Sequence, residues 1–149
     1  HGEPRLIIFG DGPESGALRA LCAELGLYSR VSFRGHCPRN ELAEAYAGAD
    51  CFVLASRSET FGVAYIEAMA AGLPVIATRC GGPEDFVTEE NGILIPVDDE
   101  SALIDAMERM MLHREDYDSA AISADIRRKF APETIAARLT ELYEGVLSC

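Results

Sequence analysis

The chain alternates between short apolar runs and segments whose apolar residues recur at helical spacing. Five apolar runs of six residues begin at positions 5, 30, 51, 73 and 92: "RLIIFG", "RVSFRG", "CFVLAS", "LPVIAT" and "GILIPV". Such runs, bounded by glycine, proline or polar residues, are typical of buried strands. The intervening segments predict helices, for example through Leu18, Leu21, Cys22 and Leu25.

Strands that alternate with helices are joined in parallel by right-handed crossovers. The predicted fold is therefore α/β, a doubly wound parallel sheet of the Rossmann-like kind. After Asp98 the pattern predicts helices only, over 99–113, about 117–130 and 131–147. Pro132 suits the first turn of the last helix, since the N–H it lacks would be unpaired there.

One apolar stripe in the first of these helices resembles a ligand box but is more simply explained as core. It consists of Leu103, Ala106, Met107, Met110 and Met111. Apolar residues at helical spacing usually face the protein interior. We therefore expect this stripe to pack against the sheet.

Composition and charge limit the classes of function. At 149 residues, 48% hydrophobic, the chain suits one well-cored domain. The formal net charge of −12 argues against a nucleic-acid partner, which needs clustered lysine and arginine. The acidic stretch between Glu84 and Asp118 is interpreted as a solvated helical surface.

Cysteine spacing and hydropathy bear on location. The five cysteines are irregularly spaced, odd in number and without a C-x-x-C pair, which predicts reduced thiols and a cytoplasmic location. Histidine, cysteine and acidic residues never recur at ligand spacing on one element, so no metal site is predicted. No apolar run approaches the roughly 20 residues of a membrane span, although a longer parent protein could still associate peripherally with a membrane.

Ligands of doubly wound sheets bind at the carboxyl ends of the strands. The loops predicted there are "GDGPESG", "GHCPRN", "SRSETFG" and "RCGGPED". Gly10, Gly12 and Gly16 miss the dinucleotide fingerprint by one residue, and no acidic residue ends the next strand. A tight turn that needs glycine dihedrals explains these glycines more simply than a nicotinamide cofactor does.

Two glutamates stand out in "SETFGVAYIEAMAAG". The strand from Cys51 should end near Ser56 and a helix should start around Phe61 or Gly62, which places Glu59 at the mouth of the cleft. Glu67 follows about two turns into the helix, roughly 12 Å away at ~1.5 Å per residue. That is too far for a close acid/base pair separated by about 5–9.5 Å. The two carboxylates instead suit opposite ends of one elongated ligand.

The backbone between the glutamates suits an anion. The N–H groups of residues 60–63 are the unpaired donors of a helix N-terminus, and Gly62 offers no side chain to obstruct a ligand. A diphosphate flanked by hydroxyl-rich groups fits, because carboxylates accept strong hydrogen bonds from sugar hydroxyls. Alternatively, Glu59 only stabilises the helix dipole, by ~0.3–1 kcal/mol. Glu67, in an apolar helix, needs a partner in either case.

Several ordered motifs resemble one family. They are "FGDGPE", "RVSFRGHCPRNELAEAYAGADCFVLAS", "SETFGVAYIEAMAAGLPVIAT", "GG" with "NGILIPVDD", and "KFAPETIAARLTELYEGVL". Together they resemble the carboxyl-terminal, nucleotide-sugar-binding domain of GT-B glycosyltransferases of family 4, also called glycosyl transferases group 1. The resemblance implies that residues 1–149 form the donor-binding domain, truncated at its amino-terminal side, of a retaining, metal-independent enzyme. Such an enzyme moves a hexose from a UDP- or GDP-sugar to an acceptor such as a glycan or lipid-linked glycan.

The resemblance also implies residue roles, through the family's E-x7-E motif. Glu59 would be the catalytic residue, contacting donor-sugar hydroxyls and stabilising positive charge at the anomeric carbon, and Glu67 would hold the ribose. Cys37, with Arg39 nearby, would contact the nucleobase through main-chain atoms. The implied donor-binding residues are Gly12, Cys37, Arg39, Ser58, Thr60, Phe61, Gly62, Val63 and Glu67.

Parts of the family pattern lie upstream of this sequence. They include a strand with the glycine-arginine turn and the lysine that bind diphosphate, and the amino-terminal acceptor domain. The isolated chain is therefore expected to bind donor weakly and to transfer sugar poorly. The "GGPEDFV" loop is one residue shorter than the common pattern, which leaves Glu84 without an assigned role. A non-catalytic nucleotide-sugar-binding module, or a GT-B epimerase or glycogen-synthase-like enzyme, remains an alternative.

Overall fold

A computed structural model describes residues 3–147, and these form two compact units. The first extends to Ala45 and the second starts at Tyr46. The first contains strand β1 (Leu6–Phe9), helix α1 (Ser15–Glu24), strand β2 (Val31–Gly35) and the start of helix α2 (Arg39–Ala47). Its two strands pair in parallel, with a register shift between Ile8 and Phe9.

Besides two short 3-10 helices, the second unit contains, among its described residues, a three-stranded sheet and four α-helices that begin within it. In chain order these are β3 (Phe52–Leu54), α3 (Val63–Ala70), β4 (Val75–Thr78), β5 (Gly92–Ile95), α4 (Glu100–Leu112), α5 (Ser119–Phe130) and α6 (Pro132–Leu147). The sheet order is β3-β4-β5, and both pairings are parallel. The five predicted strands and the α/β class are confirmed. In the described part of the chain they form two hydrogen-bonded sheets, β1-β2 and β3-β4-β5.

The core of the second unit surrounds strand β4. All four of its residues are buried, as a central parallel strand covered on both faces requires. Ile76 and Ile95 of the sheet pack with Ala106 and Met110 of α4. Leu103 and Met107 pack against this cluster, so most of the predicted α4 stripe is confirmed.

Met111 was wrongly predicted to lie in that core, since its side chain is 46% exposed. Successive residues of an α-helix are displaced by about 100° around its axis at 3.6 residues per turn. With Met110 directed inward and only 3% exposed, its neighbour is turned toward solvent.

Helix α3 is joined to helix α5 at its carboxyl end. The carbonyl oxygen of Ala70 accepts hydrogen bonds from Ser123 Oγ at 2.7 Å and from Arg127 Nη2 at 3.0 Å. These donors satisfy a carbonyl that has no partner within its own helix. Gly72 follows with φ +91°, and a Cβ there would lie 2.9 Å from the Ser119 carbonyl oxygen. The start of α5 therefore requires glycine at this position.

The cysteines in the described residues, Cys22, Cys37, Cys51 and Cys80, are free thiols, and Cys149 lies outside the described residues. Burial raises the pKa of Cys51 to about 12, which keeps this thiol protonated. Helix α6 begins at Pro132, so this proline lies in the first turn as predicted, and the helix exposes Leu139, Leu142, Tyr143 and Val146. Between residues 3 and 147, no helix has the length and apolarity needed to cross a bilayer.

Truncating the buried side chain of Ile126 in α5 should destabilise the second unit. Ile126 is 1% exposed, so Ile126→Ala should lower the free energy of unfolding by about 2–5 kcal/mol through lost burial and a residual cavity. Ile104→Ala is the matched control, because Ile104 is 50% exposed on α4, and it should cost less than about 1 kcal/mol. Denaturant unfolding measures both, and equal losses would contradict the described packing of α5.

Candidate functional site

The loop from β3 to α3 carries half of the ten predicted site residues: Ser58, Glu59, Thr60, Phe61 and Gly62. It leaves the sheet after Leu54 and enters the helix at Val63. The helix was predicted to begin around Phe61 or Gly62, and this is corrected: Gly62 has φ +91° and ψ +56°, a left-handed conformation that cannot belong to a right-handed helix. Gly62 is therefore the N-cap residue.

The backbone of Glu59 is held by the loop that follows β4. Its N–H donates to the carbonyl oxygen of Cys80 at 3.2 Å, and its carbonyl accepts from the N–H of Gly82 at 2.9 Å. These two bonds form an isolated parallel bridge between Glu59 and Gly81. The site loop is thus attached to the central strand of the sheet through main-chain atoms.

Both glycines of this second loop are required by the close approach of the first. A Cβ at Gly81, whose φ is +111°, would lie 2.8 Å from the Glu59 carbonyl oxygen. A Cβ at Gly82 would lie 2.5 Å from the Phe61 carbonyl oxygen. Backbone atoms cannot move aside as the end of a side chain can. The "GG" of the sequence therefore has a steric explanation.

The carboxylate of Glu59 is half-buried and accepts a hydrogen bond from Ser56. Ser56 Oγ lies 2.9 Å from Glu59 Oε1. No N–H group of helix α3 donates to this carboxylate among the described residues. Glu59 is therefore not a hydrogen-bonding cap of α3, and the alternative that it stabilises the helix dipole stays a prediction.

Two buried hydroxyl groups donate hydrogen bonds to main-chain carbonyls at the start of the loop. The hydroxyl of Thr78 donates to the carbonyl of Ser56, and the hydroxyl of Tyr65 donates to the carbonyl of Leu54, each at 2.5 Å. Burial, with nearby Cys80 and Glu59, raises the pKa of Tyr65 to about 12. This hydroxyl therefore remains protonated, and remains a donor, at any physiological pH.

The backbone amides of residues 60–63 are free to bind a ligand. Within the described part of the chain, no acceptor is hydrogen-bonded to the N–H of Thr60, Phe61, Gly62 or Val63. Ser58, Thr60, Phe61 and Val63 are exposed, and Gly62 is buried. Unpaired amides at a helix N-terminus favour an anion. The predicted diphosphate contact at these amides stays a prediction.

Glu67 lies just over one turn into the predominantly apolar α3, which begins at Val63, and not two turns as predicted. Its neighbours Ala68 and Met69 are fully buried, whereas Glu67 itself is half-buried. No described residue forms a hydrogen bond or ion pair with its carboxylate. The partner that this carboxylate needs is therefore not supplied by the described residues, which leaves it open to water or a ligand.

The first unit holds the other predicted donor-binding residues. Gly12 lies in the loop after β1, half-buried Cys37 in the loop after β2, and Arg39 at the start of α2. Asp11, which was not predicted, closes the first loop: its Oδ1 accepts from Gly12 N at 3.0 Å and from Ser15 Oγ at 2.5 Å. These bonds hold the pKa of Asp11 below its ordinary value. The Asp-Gly pair in the sequence could have predicted this turn, because aspartate side chains accept hydrogen bonds from nearby backbone N–H groups.

A polar cleft of about 490 Å³ lies at the carboxyl ends of β3 and β5 in the second unit. Arg57 Nε and Asp98 Oδ1 form an ion pair there at 2.8 Å. Asp98 has φ +56°, the sole positive value at a non-glycine residue in the described chain. Sequence reasoning missed this pair, since 41 residues separate its members. Over residues 3–147, no three histidine, cysteine or acidic side chains are grouped to hold a metal ion.

Comparison with known proteins identifies similar sequences and folds. The family model described as "Glycosyl transferases group 1" matches residues 1–113. The chain is 37% identical over 147 residues to a GDP-mannose-dependent alpha-mannosyltransferase from Mycobacterium tuberculosis, covering 97% of this chain and 37% of the relative. It is 34% identical to a D-inositol 3-phosphate glycosyltransferase from Corynebacterium urealyticum, covering 95% of this chain and 35% of the relative.

Solved structures agree with the fold. Sucrose-phosphate synthase from Thermosynechococcus elongatus superposes with a TM-score of 0.80 and 31% identity, over 97% of this chain and 39% of that one. Anabaena HepE, solved in complex with UDP-glucose, has a TM-score of 0.79 and 25% identity, over 95% of this chain and 41% of that one. The chain thus spans about two fifths or less of the length of each of these proteins.

The left-handed glycine at the start of α3 should resist substitution. A Cβ at Gly62 would lie 2.6 Å from Tyr65 Cδ2, and φ +91° is unfavourable for alanine. Gly62→Ala should therefore lower the free energy of unfolding by about 1–3 kcal/mol.

Gly16→Ala is the opposite control. Gly16 lies inside α1 with no atom within 4 Å of its added Cβ, so alanine should stabilise the protein by about 0.5–1 kcal/mol. Thermal unfolding compares the two variants. A neutral Gly62→Ala would show that the tyrosine ring moves aside and that Gly62 has no internal structural role.

Proposed function

Because the chain belongs to the glycosyl transferases group 1 family, we propose that it is the donor-binding part of a retaining glycosyltransferase. The transferred group is a hexose, the donor a nucleoside diphosphate sugar and the acceptor a hydroxyl group of a glycan or lipid-linked glycan. One observation carries this proposal. Glu59 is held by two backbone bonds and the Ser56 hydroxyl, and it is followed in the chain by unpaired amides and by the unpartnered carboxylate of Glu67.

Glu59 supplies the negative charge in this proposal. Departure of the nucleoside diphosphate leaves positive charge at the anomeric carbon, and a fixed carboxylate stabilises that charge without reorganising. Two backbone bonds and the Ser56 hydroxyl support such a fixed geometry. We further propose that the configuration is retained through front-face displacement, in which the leaving phosphate accepts the acceptor's proton.

The start of α3 supplies the anion contacts. The diphosphate carries charge that the amides of residues 60–63 and the helix dipole can stabilise. This local arrangement matters because the chain has a formal net charge of −12 and no general attraction for an anion. Thr60, Phe61 and Val63 are exposed, whereas Gly62 is buried against the Tyr65 ring.

Glu67 supplies the second anchor. An ionised carboxylate that no described residue neutralises can accept hydrogen bonds from both ribose hydroxyls. Its position just over one turn from the helix start suits a donor whose diphosphate lies between the sugar and the ribose. Cys37, with Arg39 nearby, stays a predicted contact of the nucleobase, and Gly12 stays a predicted donor-binding residue.

The base of the donor is left to experiment. The printed names of the similar proteins include a GDP-mannose-dependent enzyme and a protein bound to UDP-glucose, so they do not select one base. The proposed reaction needs neither a metal ion nor another cofactor. A cytoplasmic location likewise stays a prediction.

Glu67→Gln should weaken nucleotide binding. We expect one of UDP, GDP and ADP, or its sugar conjugate, to raise the unfolding temperature at millimolar concentration, because a ligand of the native state stabilises it by RT ln(1 + [L]/Kd). The substitution should reduce affinity about tenfold, since charge-assisted hydrogen bonds contribute about 1.5–3 kcal/mol each.

Glu108→Gln is the matched control for that experiment, since it removes an exposed carboxylate from the outside of α4 and should leave the shift intact. A shift unaffected by Glu67→Gln would contradict the ribose contact. If no nucleotide stabilises either this chain or its full-length parent, the donor-binding function is contradicted.

Glu59→Gln should abolish most transfer while preserving binding. Glutamine keeps the shape of the side chain and can still accept from Ser56, but it removes the negative charge. In the full-length protein we expect kcat to fall at least about 100-fold. The dissociation constant of the nucleoside diphosphate should change less than about threefold. Full activity in this variant would instead favour a non-catalytic role for this site.

A further inference from the structure

We propose that Ser56 is a positioning residue that orients the carboxylate of Glu59 toward the donor sugar, an inference that rests on the proposed function. The hydrogen bond from Ser56 Oγ to Glu59 Oε1 is 2.9 Å long and partly buried. Oε2 accepts no hydrogen bond from any described residue. One oxygen is therefore held by the protein and the other is presented to a ligand.

Ser56 can act in this way because its own backbone is fixed. Its carbonyl accepts a hydrogen bond from Thr78, a residue 1% exposed at the end of the central strand β4. The preceding segment is held as well, since the Tyr65 hydroxyl donates to the carbonyl of Leu54. The serine hydroxyl thus projects from a backbone segment anchored in the core.

The carboxylate needs such a constraint. A glutamate side chain has several rotatable bonds, and ordering a long side chain of this kind costs up to about 1.5–2 kcal/mol. The Glu59 backbone is fixed by Cys80 and Gly82, but those bonds do not select the direction of its carboxylate. Ser56 is the described residue that donates to it. A displacement of about 1 Å in a reacting group can cost about 100-fold in rate.

Two other serines of the second unit, Ser58 and Ser101, form no hydrogen bond with Glu59. Ser58, nearer in sequence to Glu59, is exposed and its side chain forms no hydrogen bond with a described residue. Ser101 makes a chemically similar bond, to Asp99 Oδ1 at 2.7 Å, but at the start of helix α4. Ser101 therefore provides a control in which the same hydroxyl-to-carboxylate bond is removed away from Glu59.

The test uses the full-length protein that contains this chain, with UDP-glucose, UDP-N-acetylglucosamine, GDP-mannose and ADP-glucose as donor probes. Release of the nucleoside diphosphate to water or acceptor gives kcat and KM, and calorimetry gives the affinity for UDP and GDP. Ser56→Ala should lower kcat at least about tenfold, with KM and nucleotide affinity changed less than twofold. Ser56→Thr keeps the hydroxyl and should recover most of kcat, and Ser101→Ala should behave as the unsubstituted protein.

A double-substitution comparison shows whether Ser56 acts through Glu59. When Glu59→Gln is already present, adding Ser56→Ala should lower kcat no further, because the charge to be oriented is gone. An additional tenfold loss in that background would overturn the positioning role. So would a kcat within twofold of normal in Ser56→Ala, or a fall in kcat matched by equal losses of nucleotide affinity and thermal stability.

Failure of this inference is distinguishable from failure of the proposed function. If Glu59→Gln is inactive while Ser56→Ala is fully active, the positioning role alone is wrong. If Glu59→Gln is fully active, the proposed role of Glu59 is wrong and that of Ser56 with it. If the unsubstituted parent turns over none of the four donors, the proposed roles of both Glu59 and Ser56 are contradicted.

Discussion

The arrangement of the candidate site depends on one main-chain contact, the bridge between Glu59 and Gly81. A loop that leaves the edge strand β3 would ordinarily be free to move, because its backbone groups have no sheet partner. The bonds to Cys80 and Gly82 give it such partners and connect it to β4, the buried centre of the sheet. The backbone position of Glu59, from which the proposed catalytic carboxylate extends, follows from this contact.

Close contact between the two loops restricts the residues at the interface. Gly81 and Gly82 lie so near the backbone of the site loop that a single Cβ would collide with it. On the other side, Gly62 adopts a left-handed conformation directly above the ring of Tyr65. In each case the distance to a neighbouring atom explains why the position holds glycine.

The buried hydroxyl groups have a corresponding role. Thr78 and Tyr65 satisfy carbonyl groups at the end of β3, where the strand leaves its ladder and would otherwise bury unpaired acceptors. Because burial raises the pKa of Tyr65 to about 12, its hydroxyl donates without interruption over the physiological range. The carbonyl groups of Leu54 and Ser56 are thus hydrogen-bonded to buried hydroxyls, whereas the amides of residues 60–63 have no partner among the described residues.

The sequence by itself determined the strands, the parallel α/β class and the loop that carries Glu59, because periodicity and turn residues act locally. It also placed Glu67 inside an apolar helix. Only the tertiary structure decided that Gly62 lies outside the helix, that Met111 is exposed, and that Ser56 binds the carboxylate of Glu59. Those features depend on how segments of the folded chain pack against each other, and the spacing of apolar and polar residues along the sequence does not reveal these contacts.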